Sequence, residues 1–359
     1  MDHPISLAQL TQAFDSQKQS YRFMNLDDGY RLVISIESGR IFGPFTDDSS
    51  VGLSWICDSL TTPESYAAFC RDREWNMGGD RLWAAPEFPF FTRKRSCFNE
   101  TYTVQDGIDP GHYTLLEDRD GGCWLQARLQ ARLYESPYPS KHILAEKKLG
   151  KSANPLRHHP DFKTLMRGVR FCGYDLELYM KDLSPEYPME LEIWDLCQVR
   201  PGGSFLIPYT GRQLHYVDYY APSMGCILTD HGGYATVSVD SVTEHKIGFL
   251  SLTTLGRAGY LKQMADDEWC LLIRNYFNDP SCEYIKEPSD QPGRNGCSLF
   301  IYTNDTRGDG LAELETTGRT FSGRTGQPDS RLLLNYWYYT GSRKQLLPVI
   351  ELFLGITLE

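Results

Sequence analysis

Short β-branched or aromatic stretches, each closed by Gly, Pro, Asn or Asp, recur along the chain and constrain its fold more than any other feature. Residues 31–36 and 235–239 are two such stretches, and the second alternates apolar with polar side chains. A side-chain period of two with turn residues at both ends is typical of antiparallel strands. With 13% aromatic residues, including 22 Tyr, the pattern predicts an all-β sandwich or barrel.

Turn residues also predict how two parts of the chain are connected. Residues 189–194 and 204–208 both look like strands, and they flank a turn built on Pro201-Gly202-Gly203. Glycine supplies the positive φ that a tight reversal needs, so this segment predicts a hairpin. Residues 136–160, with Pro137 and Pro139 near their start, predict an irregular, exposed excursion.

Helical signals are few and peripheral. Ser6 is a good N-cap for an apolar stripe that begins at Leu7, and Thr62 precedes a proline at the first position of a second helix. The tail, residues 344–354, has an apolar face that we expect to cover a sheet. We therefore expect one domain over residues 1–359, with a helical arm at 1–20 and a covering segment at 344–359.

Charge and cysteine spacing exclude several classes of function. The formal charge of −11 offers no basic stripe for nucleic acid, and no apolar run approaches the about 20 residues that span a bilayer. The ten cysteines form no C-x-x-C pair, and the adjacent His158 and His159 would point to opposite faces of an extended chain. We expect neither a metal nor a cofactor. The first residues lack a secretion signal, which predicts a cytoplasmic protein.

The segment from Trp75 to Glu87 is the first candidate for a functional site. Two glycines precede Asp80, Arg81 and Trp83. An arginine fork and a flat indole face are suited to sugar recognition, by bonds to hydroxyls and by stacking on the apolar ring face. The alternative is a turn with an Asp80–Arg81 ion pair and a core tryptophan.

An ordered set of motifs resembles one known superfamily. The motifs are Gly39-Arg40-Ile41, residues 76–83 (NMGGDRLW), residues 191–203 (LEIWDLCQVRPGG), residues 268–274 (EWCLLIR) and residues 310–315 (GLAELE). Over roughly residues 30–340, this set resembles the galactose-mutarotase-like proteins, the aldose 1-epimerase superfamily. The resemblance implies one antiparallel β-supersandwich whose concave face binds a sugar or oligosaccharide.

The resemblance also implies a reaction. In that family a carboxylate base removes the proton of the anomeric hydroxyl and an acid, usually His, protonates the ring oxygen. The ring opens, the C1–C2 bond rotates, and closure from the other face inverts the anomer. A positioned proton donor or acceptor contributes about 10²–10⁴-fold to such a step.

Glu313 and Glu315 are the candidates for the base. They lie two apart on a predicted strand, so both project to one face, where like charges tend to raise one pKa. The alternative is a solvated strand face, or ion pairing with Arg324 or Arg331.

His245 and His215 are the candidates for the acid, because both lie beside strand-like segments. Neither is followed by the Tyr-Trp-Asn type of sequence that marks the catalytic strand of true mutarotases. A lone histidine is also compatible with a core or surface position.

Gln198 and Trp194, four apart on a predicted strand, would share a face and offer an amide beside a stacking surface. The alternative places Trp194 in the core and Gln198 at a turn. The predicted substrate-binding residues are Arg81, Trp83, Asp80, Glu87, Trp194, Gln198, Arg40 and Arg274.

Three functions remain open on these residues. The first is an aldose 1-epimerase or related sugar epimerase, and the second is a protein that binds or senses a sugar without catalysis. The third is a polysaccharide lyase or glycosidase, for which Glu87 and Glu313 are the carboxyl pair to examine. The sequence leaves open which sugar is bound and the oligomeric state.

Overall fold

The structure of the chain is a computed structural model that describes residues 4–119, 122–239, 243–285, 296–304 and 310–358. Within these residues antiparallel strands predominate and the helices are short, so the predicted all-β class is confirmed. Residues 1–3 and 359, at the ends of the predicted terminal segments, lie outside the described residues.

The strands and helices alternate irregularly along the chain. The strands are β1 (Tyr21–Asn25), β2 (Arg31–Ser35), β3 (Ile41–Phe45), β4 (Asp80–Ala85), β5 (Thr114–Arg119), β6 (Gly122–Arg132), β7 (Ser140–Lys151), β8 (Arg170–Asp182), β9 (Glu192–Val199), β10 (Gly203–Pro208), β11 (Tyr216–Asp218), β12 (Leu228–Asp230), β13 (Tyr234–Ser238), β14 (His245–Leu250), β15 (Arg257–Ala265), β16 (Glu268–Tyr276), β17 (Cys297–Thr303), β18 (Ala312–Thr317) and β19 (Asp329–Gly341). The α-helices are α1 (Leu7–Ser16), α2 (Pro63–Asp72), α3 (Glu87–Phe91), α4 (Phe98–Thr101), α5 (Phe162–Leu165) and α6 (Arg343–Leu354).

Two large sheets pack face to face. In the described residues the first has nine strands in the order β1-β2-β3-β4-β9-β18-β17-β14-β11, and the second has ten in the order β12-β13-β10-β15-β16-β19-β8-β7-β6-β5. One apolar cluster joins them, with Leu82, Ile193 and Leu314 from the first sheet and Leu176 and Leu334 from the second. Burial of this shared face is the main favourable term in holding the sheets together.

The three predicted helices are present. Helix α1 begins after Ser6 in a capping box with Gln9, and α2 begins after Thr62 with Pro63 at its first position. The tail forms α6, and its Leu346 and Ile350 pack on the second sheet as the predicted cover. Within the described part of the chain, no helix has the length and hydropathy needed to cross a bilayer.

The predicted hairpin at Pro201-Gly202-Gly203 is wrong. Strand β9 pairs with β4 and β18 in the nine-stranded sheet, whereas β10 pairs with β13 and β15 in the ten-stranded sheet. The glycines do allow the chain to turn, and Gly202 has a φ of +84°. The turn therefore carries the chain from one sheet to the other, and the strand that precedes it is available to a distant part of the sequence.

The predicted excursion over residues 136–160 is also wrong for half its length. Residues 140–150 of β7 pair with β6, and residues 143–151 pair with β8. Residues 140–150 alternate between half-buried and buried positions, and the lysines at 141 and 147 are on the buried side. Buried lysines interrupted the apolar alternation and hid this strand from sequence reasoning.

Candidate functional site

A cavity of about 350 Å³ opens on the nine-stranded sheet, on the face turned away from the ten-stranded sheet, and we call it the site cavity. Its volume lies at the lower end of the range for small-molecule sites. Aromatic residues that line it include Trp75, Trp83, Tyr102, Trp194, Tyr220 and Tyr302. Its charged lining residues, among those described, are Arg81, Lys246, Glu87, Glu244 and Glu313.

Strands β4, β9 and β18 bring the central polar residues of the site cavity together. Arg81 donates a hydrogen bond from Nη2 to Oε1 of Glu313 at 2.8 Å. Gln198 donates from Nε2 to the same oxygen at 2.7 Å. Among the described residues no donor lies on Oε2 of Glu313, so this oxygen can accept a hydrogen bond from a ligand. Residues 232 positions apart in sequence thus meet as predicted.

Two glycines explain why the chain can enter β4 at this point. Gly78 has a φ of +98°, and a Cβ there would lie 2.2 Å from the carbonyl oxygen of Trp55. Gly79 has a φ of +77°, and a Cβ there would lie 2.7 Å from the carbonyl oxygen of Ile41. Only glycine fits such close approaches of backbone to backbone at positive φ. The two glycines therefore fix the position of Arg81, which follows Gly79 by two residues.

The guanidinium of Arg81 is held by rings as well as by charge. Its Cζ lies 4.4 Å from the ring centroid of Trp83 and 5.3 Å from that of Trp75. Burial by itself lowers the pKa of Arg81, but the charges of Glu313 and Asp109 outweigh it and raise the pKa. Nη1 and Nε of Arg81 have no partner among the described residues. A fixed cation with unused donors is suited to binding hydroxyl groups.

A second ion pair lies beside the first. Lys246 places Nζ 3.2 Å from Oε1 of Glu315 and 3.8 Å from Oε2 of Glu87. Trp194 donates from Nε1 to Oε2 of Glu315 at 2.8 Å. Burial lowers the pKa of Lys246, but Glu315 and Glu87 together outweigh burial and raise the pKa above its ordinary value. Lys246 is therefore an ammonium throughout the neutral pH range.

Three tyrosines complete the wall of the site cavity. Tyr102 donates to Oε1 of Glu87 at 3.3 Å, and Tyr302 donates to Oε1 of Glu244 at 2.8 Å. Burial raises the pKa of Tyr102, Tyr220 and Tyr302. These phenols keep their protons at neutral pH and offer hydrogen-bond donors and acceptors to a ligand.

Asp80 lies on the other face of the same strand. Because side chains alternate along a strand, Arg81 faces the site cavity while Asp80 faces the ten-stranded sheet. The hydroxyl of Tyr336 lies 2.5 Å from Oδ2 of Asp80 and 2.9 Å from Oδ2 of Asp195, and Nζ of Lys147 lies 3.4 Å from Asp80. Burial, with the charge of Asp80, raises the pKa of Asp195. Asp80, a predicted substrate-binding residue, therefore does not line the site cavity, and it forms no ion pair with Arg81.

Arg274 and Arg40 also lie in the interior instead of the site cavity. Arg274 crosses from β16 and donates to the carbonyl oxygen of Leu314 and to Asp195. Arg40 donates to Asp109 at 2.5 Å, and Asp109 also accepts a hydrogen bond from Nε1 of Trp83 at 3.0 Å. Both arginines are fully buried. Their place in the matched motifs reflects packing beneath the cavity and not contact with a ligand.

Neither predicted histidine lines the site cavity. His215 is exposed just before β11. His245 begins β14, but its side chain is on the face opposite Lys246, and its Nδ1 lies 3.2 Å from the carbonyl oxygen of Ala221. The residue that sequence reasoning missed is the next one in the chain. Placing β14 in the sheet was needed to see that Lys246, and not His245, faces the site cavity.

The two acids of β18 have different surroundings. Glu313 lines the cavity, whereas Glu315 is completely buried beside Lys246. The alternative pairing with Arg324 or Arg331 is not present, because those residues pair with Glu190 and Glu177. Trp194 and Gln198 do share the cavity face.

Trp75 and Asn76, at the start of the segment that the sequence singled out, also line the cavity. Tyr102 and Tyr220 were missed, because they come from loops whose path no local pattern predicts. In the described residues, no group of three or more His, Cys, Asp or Glu side chains is arranged to hold a metal ion.

Comparison with known proteins gives structural likenesses of low similarity. No family model matches the chain, and no curated protein matches it. A solved structure of a candidate aldose 1-epimerase from Klebsiella pneumoniae subsp. pneumoniae MGH 78578 is 11% identical, with a TM-score of 0.39, over 93% of this chain and 82% of that one. A 4-alpha-glucanotransferase from Thermococcus litoralis is 8% identical, with a TM-score of 0.34, over 89% of this chain. The chain covers 39% of the length of that glucanotransferase.

Proposed function

We propose that this protein binds a sugar ring in the site cavity and catalyses proton transfer at its anomeric centre, as an aldose 1-epimerase does. One observation carries the proposal. The carboxylate of Glu313 is held through Oε1 by Arg81 and Gln198, with Oε2 accessible to a ligand, inside a cavity walled by indoles and phenols. The motif resemblance that includes residues 76–83 and 310–315 supports the same function.

Each part of the site cavity has a role in this proposal. The rings of Trp75 and Tyr302 stack on the apolar face of the sugar. Arg81 and Gln198, which line the cavity, bond to sugar hydroxyls. Oε2 of Glu313 removes the proton of the anomeric hydroxyl, the O–H electrons form the C1=O double bond of the open-chain aldehyde, and the electrons of the C1–O5 bond move to the ring oxygen as the ring opens.

The ring oxygen needs a proton donor in the same step. Lys246 and the phenols of Tyr102, Tyr220 and Tyr302 are the lysine and tyrosine donors that line the cavity among the described residues. Their raised pKa values keep them protonated but make them weak general acids at neutral pH. No histidine is among the described lining residues, and this specifically favours the second candidate, a protein that binds a sugar without converting it.

Anomer exchange measured by NMR separates the two candidates. Freshly dissolved α-anomers of glucose, galactose, mannose and xylose are followed with and without protein, together with a binding titration for each sugar. Glu313→Gln keeps a side chain that can accept from Arg81 and Gln198 but removes the base. We expect about 100-fold slower exchange or more in this variant, the lower end of what a positioned base contributes.

Glu177→Gln is the matched control, because Glu177 is also a strand glutamate paired with an arginine, Arg331, but lies outside the cavity. It should leave the exchange rate unchanged. Saturable binding without acceleration by the wild type would assign the non-catalytic function. Hydrolysis or elimination products from a disaccharide would instead assign a glycosidase or a lyase. Absence of binding for every sugar tested would overturn all three.

A further inference from the structure

A second cavity, of about 420 Å³, lies against the site cavity, and we call it the adjoining cavity. Phe98 and Tyr220 line both cavities, so one wall separates them. The remaining described lining residues include Phe88, Arg95, Glu100 and Tyr219.

The same chain segments build both cavities. At the start of α3, Glu87 lines the site cavity and Phe88 lines the adjoining one. Tyr219 and Tyr220 are likewise consecutive, and Tyr219 faces the adjoining cavity alone. The two cavities therefore lie side by side and depend on the same supporting segments.

The adjoining cavity repeats the chemistry of the site cavity. Phe88 and Phe98 pack edge to face with centroids 5.3 Å apart. The Cζ of Arg95 lies 4.1 Å from the ring centroid of Phe88. An arginine stacked on an aromatic ring is the arrangement that Arg81 and Trp83 make in the site cavity, at 4.4 Å. Arginine forks and aromatic faces together suit hydroxyl groups and apolar ring faces.

The charges of the adjoining cavity are balanced. Among its described lining residues Arg95 is the cation and Glu100 the anion. A dianionic phosphate group needs several cationic or backbone N–H donors together. A lining with one cation and one anion therefore favours an uncharged sugar unit over a phosphorylated one.

We propose that the adjoining cavity is a second sugar subsite. The ligand is then a neutral oligosaccharide of at least two units, with its reducing-end ring in the site cavity. The proposal rests on the proposed function, because it assumes a sugar in the site cavity. It adds a substrate class, since a protein with the site cavity alone would take a monosaccharide.

The test compares affinities for one ring and for two. Glucose, galactose and mannose are titrated calorimetrically, followed by maltose, cellobiose, lactose and mannobiose. We expect at least one disaccharide to bind about tenfold more tightly than the free monosaccharide of its reducing-end ring, equal to about 1.4 kcal/mol. In Phe88→Ala and Arg95→Ala the ratio of the two affinities should fall toward one.

Phe277→Ala is the control, because Phe277 is a 59% exposed phenylalanine that lines neither cavity. It should leave the ratio unchanged, and thermal unfolding would show whether each variant is folded. Equal affinities for the monosaccharides and all disaccharides would overturn the second subsite while leaving the proposed function intact. An unchanged ratio in folded Phe88→Ala and Arg95→Ala would also overturn it. Absence of any sugar binding would overturn the proposed function itself.

Discussion

Replacement of Lys246 by methionine should destabilise the fold strongly, because it leaves buried carboxylates without their cation. Nζ of Lys246 is 3.2 Å from Glu315 and 3.8 Å from Glu87. The side chains of these three residues are 4%, 0% and 6% exposed. Methionine preserves the length and the apolar stem of the side chain, so the change removes mainly the charge.

The magnitude follows from these distances. With an effective dielectric constant of about 20, Coulomb's law gives about 5 kcal/mol for the attraction to Glu315 and about 4 kcal/mol for that to Glu87. The cost of burying the three ions offsets much of this attraction in the wild type. When Lys246 is removed, Glu315 and Glu87 stay buried, so the cost of burying their charges remains while the attraction to Lys246 is lost. We therefore expect Lys246→Met to lower the free energy of unfolding by about 3–5 kcal/mol at pH 7.

Urea denaturation followed by tryptophan fluorescence measures this loss. Lys148→Met is the matched control. Nζ of Lys246 lies 4.9 Å from the ring centroid of Trp194, and Nζ of Lys148 lies 4.3 Å from that of Trp124. Lys148, however, is at a half-buried position of β7. Lys148→Met should change the free energy of unfolding by less than about 1 kcal/mol. The double variant Lys246→Met with Glu315→Gln should recover part of the loss, because it removes one of the uncompensated charges.

The pH dependence gives a second check. The folded pKa of Lys246 is raised, so its stabilising contribution is fully present below the unfolded pKa of about 10.4 and is lost as pH rises through the folded value. In the variant the carboxylates become harder to ionise, which raises their folded pKa values. The difference in stability from the wild type should then narrow as pH falls from 7 toward 4.5. A loss below 1 kcal/mol at pH 7, independent of pH, would refute the reasoning.

Two further substitutions test the layers beneath the site cavity. Arg274→Met removes the guanidinium from the buried Asp195, and we expect a loss of about 3–5 kcal/mol in urea denaturation. Gly78→Ala forces a Cβ to within 2.2 Å of the carbonyl oxygen of Trp55 at a φ of +98°, so we expect a loss of at least about 2 kcal/mol. Gly150→Ala, where a Cβ meets no atom within 4 Å, should be neutral or slightly stabilising, and a loss as large as that of Gly78→Ala would contradict the steric argument.

Local signals in the sequence were sufficient to predict elements whose structure depends mainly on neighbouring residues. Ser6 and Thr62 each form a capping box at the start of a helix, as their positions predict. The β-branched, apolar stretch at residues 31–36 identified β2 within one residue. Such elements depend on contacts between near neighbours, which the sequence displays directly.

Pairing between distant strands could not be predicted in the same way. Turn residues at 201–203 allow a reversal but do not specify which sheet each flanking strand joins. Strand β7 was missed because Lys141 and Lys147 occupy its buried side, where each is satisfied by partners 41 residues or more away. Lys147 donates to the carbonyl oxygen of Gly39, 108 positions earlier. A lysine is compatible with burial only when those partners exist, and they are visible only in the fold.

The dependence on pairing between distant strands also explains which residues of the site cavity could be predicted. The meeting of Arg81 with Glu313 followed from the motif resemblance, whereas the role of Lys246 did not. A one-residue difference on a strand exchanges the two faces, so His245 and Lys246 cannot be assigned until the register of β14 against β17 is known. In the structure Lys246 pairs with Tyr302, and both face the site cavity.

The interior arginine and the cavity carboxylates act on one strand from opposite faces. Arg274 donates to the carbonyl oxygen of Leu314, the residue between Glu313 and Glu315, and to Oγ1 of Thr316 at 2.7 Å. Arg274 therefore holds β18 by hydrogen bonds on the face opposite the one from which Glu313 and Glu315 project toward the site cavity. A catalytic or binding group is effective when its supporting residues hold it within about 0.5 Å of the productive position. The buried charges between the sheets, which are costly for stability, are thus placed where they fix the geometry of the site cavity.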